Sequence, residues 1–85
     1  MFFVYILQSK RDKDLYIGYT KDPLDRLKKH NLGLVNSTKD RKPFRLAYYE
    51  AYASRQDATK REHNLKLRAK ALRQLVNRIK SSLKA

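Results

Sequence analysis

The 85-residue chain has no cysteine, two histidines, two glycines and two prolines. Without thiols it can form no disulfide, thiolate zinc site or cysteine-ligated iron–sulfur cluster, and it carries no thiol nucleophile. So few glycines, histidines and prolines exclude a glycine-rich phosphate loop, a metal-finger array and a collagen-like or proline-rich chain. Long hydrophobic runs are missing too. The longest, Phe2 to Leu7, is too short for a signal-peptide core and far below the ~20 residues needed to cross a bilayer. The expectation is a soluble, cytoplasmic protein. Acids are scarce, with eight Asp and Glu against 21 Lys and Arg, so the net charge is +13. Only two of those acids are Glu, and none lies beyond Glu62.

The composition that remains is that of a folded chain, 41% hydrophobic with six Tyr and three Phe. Its length suits one domain, residues 1–85, whose basic C-terminal helical region (about 66–85) belongs to it. The charge predicts a polyanionic partner, with nucleic acid ahead of an anionic membrane surface. The membrane reading is the weaker one. The apolar stripe of the last helix carries no Trp or Phe anchor and is explained more simply by packing on a sheet. No membrane association is expected, and both a monomer and a homodimer are compatible with the sequence.

Phe2 to Leu7, rich in β-branched and aromatic residues, predicts a buried strand. A polar loop from Gln8 to Asp14 leads to a second strand, Leu15 to Thr20, most simply an antiparallel hairpin partner. Asp22-Pro23-Leu24-Asp25 reads as a helix start, with Asp22 the N-cap and Pro23 the first helical residue. Gly33 suits a left-handed stop beyond a helix of about Pro23 to Asn31. Phe44 to Tyr52 alternates as a third strand, with Phe44, Leu46, Tyr48, Glu50 and Tyr52 on one face. Ser54-Arg55-Gln56-Asp57 resembles a capping box. Beyond it Ala58, Glu62, Leu65, Ala69, Leu72, Val76, Ile79 and Leu83 form one continuous helical stripe. The helix is single or broken near Leu67 to Lys70. The fold class is therefore α/β (α+β), with a small sheet flanked by helices in the order ββαβα(α).

Glu62 interrupts an apolar stripe. A carboxylate there needs compensation, either by an arginine ion pair or by a hard divalent cation. Arg26 and His30 lie one turn apart on one helix face. Tyr5 and Tyr16, on adjacent strands, can share a face. Around one cleft these groups would be equipment for cleaving a phosphodiester.

Val4-Tyr5-Ile6 followed by Tyr16-Ile17-Gly18 resembles the paired signature of the GIY-YIG nuclease superfamily. The likeness continues through Tyr19-Thr20, Leu24, Arg26, Leu27, His30, Asn31, Gly33, Thr38, Pro43, Leu46 to Glu50, Ala58, Arg61-Glu62 and Lys66. It covers essentially the whole chain and is closest to small stand-alone bacterial members. The resemblance implies a three-stranded mixed or antiparallel sheet flanked by helices. It also implies an endonuclease hydrolysing DNA phosphodiester bonds with one Mg²⁺ or Mn²⁺. Tyr5, Tyr16, Arg26, His30 and Glu62 match the family's catalytic positions, and Glu62 the metal-binding glutamate. The proton of the attacking water would pass to Tyr16, or to His30 with Tyr5 assisting. Lys21, Lys39, Arg41, Lys42, Arg45, Lys66, Arg68, Lys70 and Arg73 are the candidate nucleic-acid contacts. Such backbone contacts give affinity without sequence preference. Tyr48, Tyr49 and Tyr52 offer a stacking surface for unpaired bases. Low sequence specificity and single-stranded or branched DNA are the expectation. The alternative is a non-catalytic nucleic-acid-binding module of the same fold.

Overall fold

A computed structural model describes residues 1–85. The run predicted as a buried strand lies at the centre of the sheet. Strand β1 (Phe2–Ser9) is flanked by β2 (Leu15–Thr20) and β3 (Phe44–Tyr52), in the order β2-β1-β3. Both pairings are antiparallel. Val4, Tyr5, Ile6 and Leu7 are all buried, since layers cover both faces of the central strand. That is why its sequence is continuously apolar instead of alternating. β1 extends through Gln8 and Ser9, beyond the predicted strand end. Ser9 is buried because its hydroxyl donates to the Arg41 carbonyl and accepts from the Arg11 and Asp12 amides, closing the turn to β2.

Helix α1 (Pro23–Asn31) keeps its predicted bounds. The Asp22 side chain accepts from the Asp25 amide at 3.1 Å, and Gly33 takes φ +76° beyond the last turn. The helix covers one sheet face, where Tyr5, Leu7 and Phe44 are buried with Tyr16, Leu27 and Leu46 around them. On the other face Val4 and Ile6 pack against Ala58 and Leu65 of α2 (Arg55–Leu67), Leu75 of α3 (Ala69–Arg78) and Ile79 just beyond it. A short helix, α4 (Lys80–Lys84), follows. It is tied to β3 by Arg45, whose guanidinium donates to the Ser82 carbonyl and to Gln8. No helix is long and apolar enough to cross a membrane.

Three local expectations are corrected. The first concerns β3. Ile6 pairs with Tyr48 but Leu7 pairs with Leu46, so Ala47 is an extra residue, a β-bulge. Past it the side-chain alternation inverts. Phe44 and Leu46 face α1, whereas Tyr48 and Tyr52 join the opposite layer.

The second correction concerns the stripe after Ala58, which is not continuous: of the single helix and the break near Leu67 to Lys70, the structure has the break. Arg68 is extended (φ −117°, ψ 102°) and separates α2 from α3. A straight helix from Arg55 to Lys84 would run ~45 Å, against a longest molecular dimension of 29 Å. Doubling back is what lets the C-terminal apolar residues reach the sheet. The break also resets the inner face. Ala71, Leu75, Ile79 and Leu83 pack on the core, while Ala69 is exposed and Leu72 and Val76 are half-buried.

Third, Ser54 occupies the N-cap position of α2 with its carbonyl only, accepting from Ala58, and its hydroxyl makes no capping bond. The structure replaces the expected capping box with a tertiary anchor. Arg61 donates from Nε to Glu50 of β3 at 2.7 Å, and Tyr48 and Tyr52 donate to the same carboxylate.

The register of α3 is checked by paired truncations in urea denaturation. Leu75→Ala should cost about 2–5 kcal/mol, the range for emptying a core leucine site. Leu72→Ala should cost about 1 kcal/mol or less. Equal losses would restore the continuous stripe.

Candidate active site

The site begins with a close approach between strands. Tyr5 of β1 lies opposite Gly18 of β2, and its ring covers the glycine. A Cβ on Gly18 would come within 2.3 Å of the Tyr5 ring and hydroxyl. Glycine is required here for space, so the two halves of the signature meet as one packing contact. Tyr5 is thereby held flat across the sheet, with its hydroxyl 3.1 Å from Nε2 of His30 on α1.

The imidazole is completely buried. Its Nδ1 is 2.7 Å from the hydroxyl of Thr38, which is also buried and donates to the Val35 carbonyl. That pattern assigns the ring proton to Nδ1, so Tyr5 donates to Nε2. The result is a directional chain from Tyr5 to His30 to Thr38 to backbone. Burial, helped by the nearby Arg26 charge, pulls His30 from 6.5 down to about 4. It is therefore neutral near pH 7. Tyr16, Phe44 and Tyr5 ring it with edge contacts, Tyr16 nearest at 4.8 Å between centroids.

Arg26 sits one turn before His30 on the same helix. Its Nε is buried and has no hydrogen-bond partner. Burial pushes the Tyr5 phenol up from 10.0, and the Tyr16 and Glu62 charges add to this, while the adjacent Arg26 guanidinium pulls it down; the net shift is upward. Tyr5 thus remains a phenol at neutral pH. Glu62, on α2, is near enough for its charge to be felt at Tyr5. Its side chain retains 22% exposure and its Oε2 is 3.0 Å from Lys66 Nζ. It flanks the apolar core instead of entering it.

The donor set also decides what sort of metal is compatible. No three His, Cys, Asp or Glu side chains converge anywhere, so an ion caged wholly by protein does not fit. Glu62 offers a second carboxylate oxygen outside its lysine contact. One carboxylate, with water and a phosphate completing the shell, is a common arrangement for Mg²⁺. The residues present fit a mostly hydrated divalent cation at Glu62.

The nine basic candidates separate into occupied and unoccupied groups. Arg41 is paired with Asp12 at 2.8 Å and lies over the Phe44 ring. Arg45 is held by Gln8 and Ser82, Lys66 by Glu62, and Lys21 lies over the Phe2 ring. Lys39, Lys42, Arg68, Lys70 and Arg73 are exposed. The first two flank the turn behind Thr38, and the other three lie at the break between α2 and α3 and along α3.

Several contributors have no role in the sequence reading. Thr38 sits in a polar connection with nothing to mark it as buried, and only the partner of His30 reveals it. Asn31 clasps β3 by donating to the Phe44 carbonyl and accepting the Phe44 amide at 2.7 Å. Glu50 carries three hydrogen bonds. Burial raises its pKa, but Arg61, Tyr48 and Tyr52 outweigh that and hold it below 4.5. Both phenols are pushed up to about 12 by burial and by the carboxylate. The scarcity of glutamate and the place of Glu50 and Arg61 in the family likeness were the signals available, but neither pairs the two.

This three-stranded frame, with tyrosines of adjacent strands meeting over a glycine, is that of the GIY-YIG catalytic domain. That domain matches residues 1–78, and the chain belongs to this nuclease family. Within it the chain is similar to the UPF0213 proteins. Those of Staphylococcus aureus strains Mu3 and Mu50 are each 43% identical over 79 residues, covering 89% of this chain and 95% of theirs. The solution structure of the UPF0213 protein from Bacillus halodurans is 40% identical, with a TM-score of 0.56 over 91% of this chain and 84% of that one.

Two measurements test this geometry. Gly18→Ala should destabilise the fold by about 1–3 kcal/mol, as overpacking does, read by urea denaturation. The second is a pH series. The folded-state pKa of His30 lies below its unfolded value. Its stabilising contribution is therefore full above about pH 6.5 and lost progressively as pH falls towards 4. Glu50 and Asp12 contribute losses only at lower pH. Urea midpoints should thus decline between pH 6.5 and 5 in the natural chain and decline less in His30→Gln. An identical slope in both would show that His30 is not buried neutral.

Proposed function

We propose that this chain is a metal-dependent endonuclease that hydrolyses DNA phosphodiester bonds with low sequence specificity and favours single-stranded or branched DNA. The observation that carries the reading is the buried Nε of Arg26, a cationic donor without a partner beside the oriented Tyr5 hydroxyl. An unpaired buried donor is costly, and a phosphate oxygen would satisfy it by a charge-assisted hydrogen bond.

The scissile phosphate would lie between Arg26 and Glu62. Arg26 would bind a non-bridging oxygen and stabilise the negative charge that builds there in the transition state. Tyr16, half-buried against His30, is the group that orients the attacking water and, acting as the phenolate, takes its proton to become the phenol. His30 is a positioning residue in this reading. Its Nε2 is already occupied by Tyr5 and its Nδ1 proton by Thr38, so it fixes the Tyr5 ring and leaves the phenol oxygen free to accept a hydrogen bond from the attacking water. Glu62 would hold the divalent cation, Mg²⁺ or Mn²⁺, and Lys66 would orient its carboxylate. Such an ion, when bound, supplies Lewis-acid stabilisation of the phosphoryl and departing 3′ oxygens. The exposed Lys39, Lys42, Arg68, Lys70 and Arg73 would contact backbone phosphates of whatever sequence is present.

The test is incubation of the protein with labelled single-stranded, duplex and flapped DNA in Mg²⁺, Mn²⁺ or EDTA. Cleavage should require metal and be fastest on the single-stranded and flapped substrates. Tyr16→Phe should lower the rate by about 100-fold or more, the usual scale for losing a positioned proton acceptor. Glu62→Gln should fall to the EDTA background, and cutting by that variant at the natural rate would sink the proposal.

A further inference from the structure

An apolar hollow of about 270 Å³ opens on the α1 face of the sheet, lined by Phe3, Asp22, Pro23, Leu24, Leu46 and Tyr49. We infer that this hollow is a base-binding subsite, taking one unpaired nucleobase of the strand whose phosphate is held at Arg26. The inference rests on the nuclease reading for its orientation, but its chemistry is independent of catalysis.

Four observations carry it. The hollow adjoins the candidate site through shared elements. Tyr49 is the register partner of Tyr5, Phe3 lies two residues before Tyr5 on the same face, and Leu24 belongs to the helix that carries Arg26. Its walls suit a planar ring. Tyr49 is 54% exposed and meets Phe3 edge-on at 5.6 Å between centroids, and Leu24 is 69% exposed at the rim. Base–aromatic stacking tolerates any sequence, in keeping with low specificity. Its size is below the ~300–1,000 Å³ of sites enclosing drug-sized ligands, which suits a single base and not a base pair.

Its charge makes the last distinction. A bare helix N-terminus attracts anions, but here Asp22 and Asp25 occupy the first turn of α1, with Asp22 Oδ1 bonded to the Asp25 amide. A phosphate is repelled from this rim, whereas the exocyclic amine of a base can donate to the free Asp22 oxygen. The bulge at Ala47 creates the subsite, because it sends Tyr49 to the Tyr5 face and leaves Tyr48 and Tyr52 bound to Glu50 on the other. The three tyrosines expected to form one stacking surface do not share a face.

The experiment uses the full chain in EDTA with short single-stranded DNA carrying the fluorescent base 2-aminopurine at successive positions. Emission should change strongly at one or two adjacent positions on binding. Tyr49→Ala should abolish that change and weaken binding about tenfold, the scale of one lost stacking contact. Leu24→Glu, a rim change on an exposed helical position, should weaken both without loss of thermal stability. The salt dependence of binding should be unaltered in Tyr49→Ala, because no charge is changed and no phosphate contact is removed. Equal emission changes at all positions, or a signal indifferent to both variants, would overturn the inference. Cleavage in Mg²⁺ is measured in parallel. A position-specific signal without cleavage removes the nuclease reading alone, and cleavage with a silent probe removes the subsite alone.

Discussion

Tyr5 lies across Gly18 at a distance no other residue would permit, and from this contact the rest of the site is built. The ring can lie flat only because β2 presents no side chain beneath it. Lying flat, it brings its hydroxyl to His30, which fixes α1 along the helix axis. His30 in turn fixes Thr38 in a connection with little regular structure. One contact therefore joins two strands, a helix and a loop. All the polar groups in it are satisfied although the imidazole and threonine are fully buried, which is the condition for a buried polar network to stabilise instead of destabilise.

Beside this network lies Arg26, whose position contrasts with it. A chain with 21 basic residues has many cations to place, and most are exposed or paired. Arg26 has its Nε buried beside Tyr5 with no acceptor. The neutral state of His30 follows partly from that charge. In the proposed reaction, a charge fixed in advance in this way would leave little reorganisation for the chemical step.

Much of the frame was legible in the residues. Asp22-Pro23 and Gly33 bracket α1 by local chemistry alone, and the apolar run of β1 announced a strand covered on both sides. Family resemblance named the tyrosine, arginine, histidine and glutamate positions. What stayed hidden was decided by tertiary geometry. The break at Arg68 falls where one of the two alternatives put it, near Leu67 to Lys70, but no glycine, proline or capping residue decided for it; it answers to the size of the body that the helix must fold against. The bulge at Ala47 is invisible in an alternating pattern, since Phe44 to Tyr52 alternates whether or not a residue is unpaired. Thr38 looks like any loop threonine until the imidazole that needs it is found. Glu50 was conspicuous for its rarity and its place in the family likeness, but the arginine and two phenols that surround it come from two separate elements.

The unpaired Ala47 also bears on how such chains diverge. Removing or adding one residue in the first half of β3 would leave every amino acid beyond it unchanged in identity yet exchange the two sides of the strand. The Glu50 anchor for α2 would turn outward and Tyr49 would turn into the helical layer. Insertions and deletions at this point are therefore not neutral changes of length. The count of residues between Phe44 and Glu50 is as much an inherited determinant as their chemistry, and an alignment that slips there by one place compares inside with outside.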